Sequence, residues 1–330
     1  MLETDFFENK ADKNGLFYWY QRGEKMNTVW LTGDAAVDLI PNESDGYLKC
    51  AGGAPANVAV AIARLKGESR FFGRVGNDPL GKFLKQTLES ENVDVQHLML
   101  DPLHRTSTVV VDLDKHGERN FTFMVKPSAD QFIDVIDIPK FSQGNWLHCC
   151  SIALANEPSR TTTLTAMKSM KTAGGFISFD PNLRAELWTN SNEMKEQVLR
   201  AIAIVDVVKF SDDELLFLTD TDNLQAGLEV VATMQLPLVI VTMGADGALV
   251  VFDGKQKIIK GKVVKPIDTT GAGDAFVGGL LAKLSATNNW RQEKNILEAV
   301  KCGNACGAWA TTKKGAMTAL PTLTSIKMTS

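Results

Sequence analysis

The sequence predicts an α/β fold in which a mainly parallel sheet is covered by helices on both faces. Three observations predict it. Short apolar runs that suit buried strands alternate with stretches of helical periodicity from Met26 onward. Glycines stand near the junctions between the two kinds of segment. The alternation breaks in two places, where extended, turn-rich segments replace the strand–helix rhythm.

Residues 29–32 read as a buried strand ending at Gly33. Residues 54–65 carry alanine and β-branched residues at helical spacing and stop before Gly67. A second strand follows at 70–75 and a second helix at 81–90. Further strands are expected at 146–151, 176–179, 205–210 and 238–242, separated by helical stretches around 158–172, 192–203 and 223–234. Such alternation implies βαβ crossovers. The first break is residues 39–50, and the second is residues 106–114 and 119–125, a hairpin with His116-Gly117 between its strands. Together they are expected to form a small β-sheet projecting from one main domain at 26–330. Residues 1–25 differ from the rest, mixing charge with the aromatic run Phe17-Tyr18-Trp19-Tyr20. They lack the apolar core and cleavage site of a secretory signal, and are expected to be a leader or non-native prefix.

With 44% hydrophobic residues in 330, the chain can bury a sizeable core. Its net charge of −4 supplies no long-range attraction to nucleic acid or anionic membranes, so any phosphate must be held by local geometry. The apolar runs are short for a membrane helix. Among five cysteines, Cys302 and Cys306 stand one helical turn apart. No second pair or His cluster accompanies them, so all five are read as buried thiols in a reducing cytoplasm.

The strongest chemical signal is Asp268-Thr269-Thr270-Gly271-Ala272-Gly273-Asp274, between an extended segment at 257–264 and an apolar helix at 275–284. Gly271 and Gly273 permit unusual dihedrals and close ligand approach. A helix N-terminus can hold an anion, and Asp274 in its first turn can take a proton from an attacking hydroxyl. The plainer alternative is a glycine-rich cap whose Asp274 complements the helix dipole. Gly52-Gly53-Ala54-Pro55-Ala56-Asn57 is a second turn into a helix, where Asn57 can donate and accept hydrogen bonds as a sugar requires. Asp34 and Asp38 follow the first strand, where open α/β sheets bind ligands; otherwise they are solvated loop carboxylates.

The seven-residue string resembles the C-terminal signature of the PfkB, or ribokinase-like, carbohydrate kinases, and the Gly52–Asn57 string resembles their N-terminal one. The resemblance runs from about residue 29 to 320. It implies a three-layer α/β/α sandwich with a β-sheet lid, Asp274 as base and Gly271-Ala272-Gly273 as anion hole. It implies sugar contacts from Asp34, Asp38, Gly52, Gly53 and Asn57, with Arg119 and Phe121 on the lid. Asp180-Pro181-Asn182-Leu183-Arg184 looks like a family segment that puts Asn182 and Arg184 near the phosphate path. Lys209 and Glu214 lie in an element resembling N-x-x-E, whose Glu organises magnesium, although Ser211 replaces the usual Asn. Thr242, Gly244 and Gly247 match a nucleotide turn, and Asn304 an adenine-side helix. Asp268, Thr270 and the carbonyls of Ala310, Lys313 and Gly315 match a potassium loop. Ala36 stands where many ribokinases have Asn. ATP and Mg²⁺ are implied as cofactors, with K⁺ activation and a possible homodimer through the lid. Fructose is the expected acceptor, since the strings around Asp38 and Asn57 look most like those of fructose-phosphorylating members; aminoimidazole riboside or another sugar or nucleoside is the alternative, and a non-catalytic sugar-binding module a more distant one.

Overall fold

The computed structural model describes residues 26–42, 46–113 and 119–328. The expected prefix at 1–25 and the His116-Gly117 turn lie outside the described residues. The central strand is β1 (Val29–Leu31), which pairs in parallel with β4 (Ser69–Gly76) on one side and β8 (Trp146–Cys150) on the other. Beyond β4 lies β5 (Asp94–Asp101). Beyond β8 lie β9 (Phe176–Asp180), β10 (Val207–Ser211) and β11 (Leu238–Thr242), all parallel. Antiparallel β12 (Ala248–Phe252) and β13 (Lys255–Ile259) finish this nine-stranded sheet. The chain thus winds outward from β1 in one direction and then in the other. That reversal opens a crevice at the carboxyl ends of β1 and β8.

Alternation along β1 explains the two covered faces. Val29 and Leu31 join a core with α1 (Ala54–Arg64), α2 (Pro79–Ser90), α7 (Ala272–Leu284), α8 (Glu293–Thr311) and α9 (Leu323–Met328). Trp30 points the other way, into a core with α3 (Ser159–Thr172), α4 (Ser191–Ile202), α5 (Asp212–Thr219) and α6 (Leu224–Thr233). The two breaks in the pattern pair with each other. β2 (Ala36–Pro41) and β3 (Tyr47–Gly52) form one hairpin, β6 (Ser107–Leu113) and β7 (Arg119–Phe123) another. β2 joins β6 in parallel, giving a mixed four-stranded sheet in the order β3-β2-β6-β7.

Some boundaries move for identifiable reasons. The strand expected at 205–210 starts at Val207, because Asp206 turns inward to accept from Lys171, Arg291 and the Ile177 amide. The extended segment expected at 257–264 leaves the ladder after Ile259, where Asn304 Nδ2 donates to the carbonyls of Ile259 and Lys260. The helix expected from 275 begins at Ala272, with Gly271 as its cap. β5, β12, α5 and α9 are not among the expected elements, and α8 starts at Glu293, well before Asn304.

α7 lies against α1, and small residues set the spacing. A Cβ on Gly278 would stand 2.3 Å from Ala61 Cβ, so neither helix can yield without moving the other. Gly278→Ala should therefore cost about 1–3 kcal/mol, the usual penalty of overpacking. Urea denaturation reads it, and adding Ala61→Gly should restore most of the loss.

Candidate active site

Asp274 occupies the first turn of α7, and its side chain is 8% exposed. Gly271 makes this turn possible. Its φ of 74° is left-handed, and a Cβ there would meet Ala316 Cα at 2.9 Å. The helical ladder opens with the Ala275 N–H donating to the Gly271 carbonyl. The N–H groups of Gly273 and Asp274 precede that bond and are free to face an anion.

The carboxylate is anchored from the neighbouring helix. Asn57 Nδ2, on α1, donates to Asp274 Oδ2 at 2.8 Å, and Asn182 Nδ2 approaches Oδ1 at 3.5 Å. Burial pushes Asp274 up to about 6; the Asn57 bond and the cations Arg184 and Lys209 oppose this, while Asp180 adds to it. Asp274 thus titrates near neutrality, as a general base should. Lys209 bridges Asp180 at 3.2 and 3.1 Å and lies 4.0 Å from Glu214. Burial works against its charge, but Asp180 and Glu214 outweigh that and hold it protonated.

Asp34 follows β1 and is 7% exposed, with its Oδ1 unpartnered. Gly53 permits this placement: its φ is 96°, and a Cβ would strike the Asp34 carbonyl at 2.5 Å. Burial pushes Asp34 up to about 7; Asp130 and Asp274 push the same way and Arg184 opposes.

These groups wall one cavity of about 270 Å³. It brings together Asp34, Asp38, Gly53, Asn57, Asn182, Arg184, Lys209, Glu214, Thr270, Gly271, Gly273 and Asp274, with Phe121 from β7 above. Gly52 stands just outside, packed so closely on Asp38 that a Cβ would overlap its carboxylate. Ala272 caps the turn with its N–H to the Thr269 carbonyl. Arg119 is in β7 opposite Leu113, and its side chain lies outside the described residues. Thr242 ends β11 beside Ser211, and Gly244 and Gly247 lie in the turn that leads to β12; none of the three lines this cavity. Asn304 does not line it either, and its Nδ2 donates to the 259–260 backbone.

Glu214 has a scaffolding role beside its position on the cavity. With Ser211 it forms the capping box of α5, and its Oε1 accepts from the Leu183 amide at 3.0 Å. Asp268 bonds the Thr270 amide at 3.0 Å and the Gly315 amide at 2.7 Å, joining two loops beside α7. The Ala310 carbonyl accepts from the Lys313 amide. Among the described residues no group of three His, Cys, Asp or Glu side chains is placed to hold a metal ion. Sequence reasoning missed Asp130, which no motif marks, and the salt-bridging role of Asp180, whose signal is a lone carboxylate closing a buried apolar strand.

A catalytic-type carboxylate at a glycine-capped helix N-terminus agrees with what the whole chain matches. The pfkB family carbohydrate kinase model matches residues 23–323. This chain belongs to the pfkB family of carbohydrate kinases. A fructokinase of Vibrio alginolyticus is 60% identical to this kinase over 301 residues, covering 91% of this chain and 98% of the relative. An aminoimidazole riboside kinase of Salmonella typhimurium is 43% identical, covering 90% and 92%. The crystal structure of a Vibrio cholerae O395 fructokinase with fructose, ADP and calcium ion bound superposes with a TM-score of 0.89 at 63% identity. It covers 92% of this chain and 98% of that one. The ribokinase-like fold with its smaller sheet is thereby established for this pfkB kinase. No helix among its described residues is long and apolar enough to cross a membrane.

Asp34 carries a stability consequence. Its folded-state value lies above its ordinary 3.8, so stability is intact below about 4 and declines as pH rises through about 7. Asp34→Asn should therefore stabilise the protein at pH 8, by an amount on the order of a few kcal/mol. The gain should vanish near pH 4, which thermal unfolding of both proteins across pH would read.

Proposed function

We propose that this kinase transfers the γ-phosphate of ATP to the 6-hydroxyl of D-fructose, with Asp274 as general base. The observation that carries this reading is the Asn57–Asp274 pair, which aims a near-neutral base at a cavity walled by Asp34 and Asp38. Asp274 accepts the hydroxyl proton as the acceptor oxygen attacks. The Gly273 and Asp274 amides and the α7 dipole meet the negative charge, and Arg184 and Lys209 supply cationic partners beside them. Asp34, Asp38 and Asn57 orient the sugar. When bound, ATP supplies the phosphoryl group and Mg²⁺ spreads its charge. The protein offers Asp180 and Glu214 near Lys209 rather than a carboxylate cage, which suits an ion held mainly by phosphate and water. Asp268 tying Thr270 to Gly315 supports a K⁺ site built from neighbouring carbonyls at 310–315. The four-stranded sheet would act as a lid that excludes water. Five free thiols favour a cytoplasmic setting. The outward Tyr47 and Leu48 of β3 support a homodimer paired through this sheet, which sedimentation velocity would detect as twice 36.0 kDa.

A second acceptor stays in view for one reason. Phe121 and Phe123 both line the cavity, and an aromatic wall suits the base of aminoimidazole riboside. The ratio of kcat/KM for the two acceptors decides: a higher value for the riboside would reassign the substrate and leave the chemistry in place. Asp274→Asn should lower kcat at least about a hundredfold, the minimum worth of general-base assistance. In the wild type, kcat/KM should climb with pH and level off above about 6, where Asp274 is deprotonated. A variant within a few-fold of wild type would remove Asp274 from its role.

A further inference from the structure

Beside the catalytic cavity lies a larger chamber of about 510 Å³, and the two share Asp34, Phe123 and Ile152 as a common wall. Asp274 borders only the first. The second is built around Asp130, which is 5% exposed and belongs to the short 3-10 turn Ala129–Phe132. Ser128 Oγ donates to Asp130 Oδ1 at 2.5 Å, Gln131 Nε2 donates to Oδ2 at 2.7 Å, and Asn156 Nδ2 donates to Gln131 Oε1 at 2.9 Å. All four residues line the chamber. Each Asp130 oxygen accepts one bond in this network and keeps capacity for another. Asp34, more than nine-tenths buried, brings an unpartnered Oδ1 to the same wall.

The network is fixed before any ligand arrives, and the open valences of its buried carboxylate are acceptors. It therefore suits a group that donates hydrogen bonds, namely a hydroxyl. Glu157 and Glu186 add negative charge to the lining, while Lys126, its cation, donates to the Glu186 carbonyl at 2.8 Å. An anionic group entering here would meet buried carboxylates of like sign. Burial and the neighbouring carboxylate act on Asp34 in the same direction, as two acids facing one space should.

We infer that this chamber is a recognition subsite for the end of the acceptor remote from the phosphorylated hydroxyl, with Asp130 as the residue that selects an uncharged hydroxymethyl group there. The inference rests on the fructokinase reading. With O6 at Asp274, the C1 hydroxymethyl is the opposite end of the sugar, and Asp34 spans the boundary between the two spaces. Asp130 accepts the 1-hydroxyl, and a phosphate on that oxygen is refused.

The test pairs a change in the enzyme with a change in the substrate. Initial rates are measured for wild type and Asp130→Asn with D-fructose, 1-deoxy-D-fructose and D-fructose 1-phosphate. In the wild type, kcat/KM should drop at least about tenfold on loss of the 1-hydroxyl, the worth of one hydrogen bond to a charged group. Asp130→Asn should lose a similar factor on fructose, mostly through KM, yet barely distinguish fructose from its 1-deoxy analogue. Its discrimination against fructose 1-phosphate should also fall. Equal losses on fructose and the 1-deoxy sugar would mark Asp130 as a structural residue and overturn the subsite alone. Should the variant fail to fold, the wild type still decides: turnover of fructose 1-phosphate within tenfold of fructose would overturn the inference, and turnover below that would support it. No fructose phosphorylation by the wild type would overturn both this inference and the fructokinase reading.

Discussion

The Asn57–Asp274 hydrogen bond joins residues 217 positions apart, and the site is arranged around it. Asn57 is fixed by α1, which enters directly from the Gly52-Gly53 turn; Asp274 is fixed by α7, which enters from Gly271. Both helices start at the carboxyl ends of the strands, so their N-termini converge on one crevice. Their separation is set by contacts such as Gly278 on Ala61, where backbone-level packing leaves no slack. The role proposed for Asp274, a base within hydrogen-bond reach of a hydroxyl, needs that rigidity, because misplacement of about an ångström can cost about a hundredfold in rate.

The electrostatics follow from the same burial. Asp34, Asp130, Asp180 and Asp274 are all nearly removed from water; buried Lys209 pairs directly with Asp180, and Arg184 opposes the charge on Asp34 and Asp274 from nearby. The site therefore holds negative charge at a cost, and two of its acids sit near neutrality as a result. Lys209 shows the opposite response. Its burial is outweighed by Asp180 and Glu214, so the cation beside the anion-binding turn keeps its charge. Glu214 reaches this position through an ordinary device, the capping box of a short helix.

Much of this is legible in the sequence. The alternation of apolar runs located the parallel strands because strands buried on both faces must be continuously apolar. The glycine strings located both helix entries because few other sequences allow such turns. What was not legible depends on packing at a distance. Nothing around Asn304 signals that its Nδ2 donates to the 259–260 backbone. Asp130 sits in a short 3-10 turn without periodicity or motif, and becomes visible only once β1 brings Asp34 beside it. Ser211, which the sequence marks only as a replacement for Asn, caps α5 and also lines the cavity.

The four-stranded sheet is made of two excursions, one leaving the main sheet after β1 and the other after β5. Each returns to the main fold near its point of departure, and neither contributes to the ladder that carries Asp180 and Lys209. The strands that carry Asp180 and Lys209 and those that bring Asp38, Phe121 and Phe123 to the cavity are thus separate stretches of chain. A change on β6 or β7 can reshape that wall of the cavity while the Asn57–Asp274 contact stays in place.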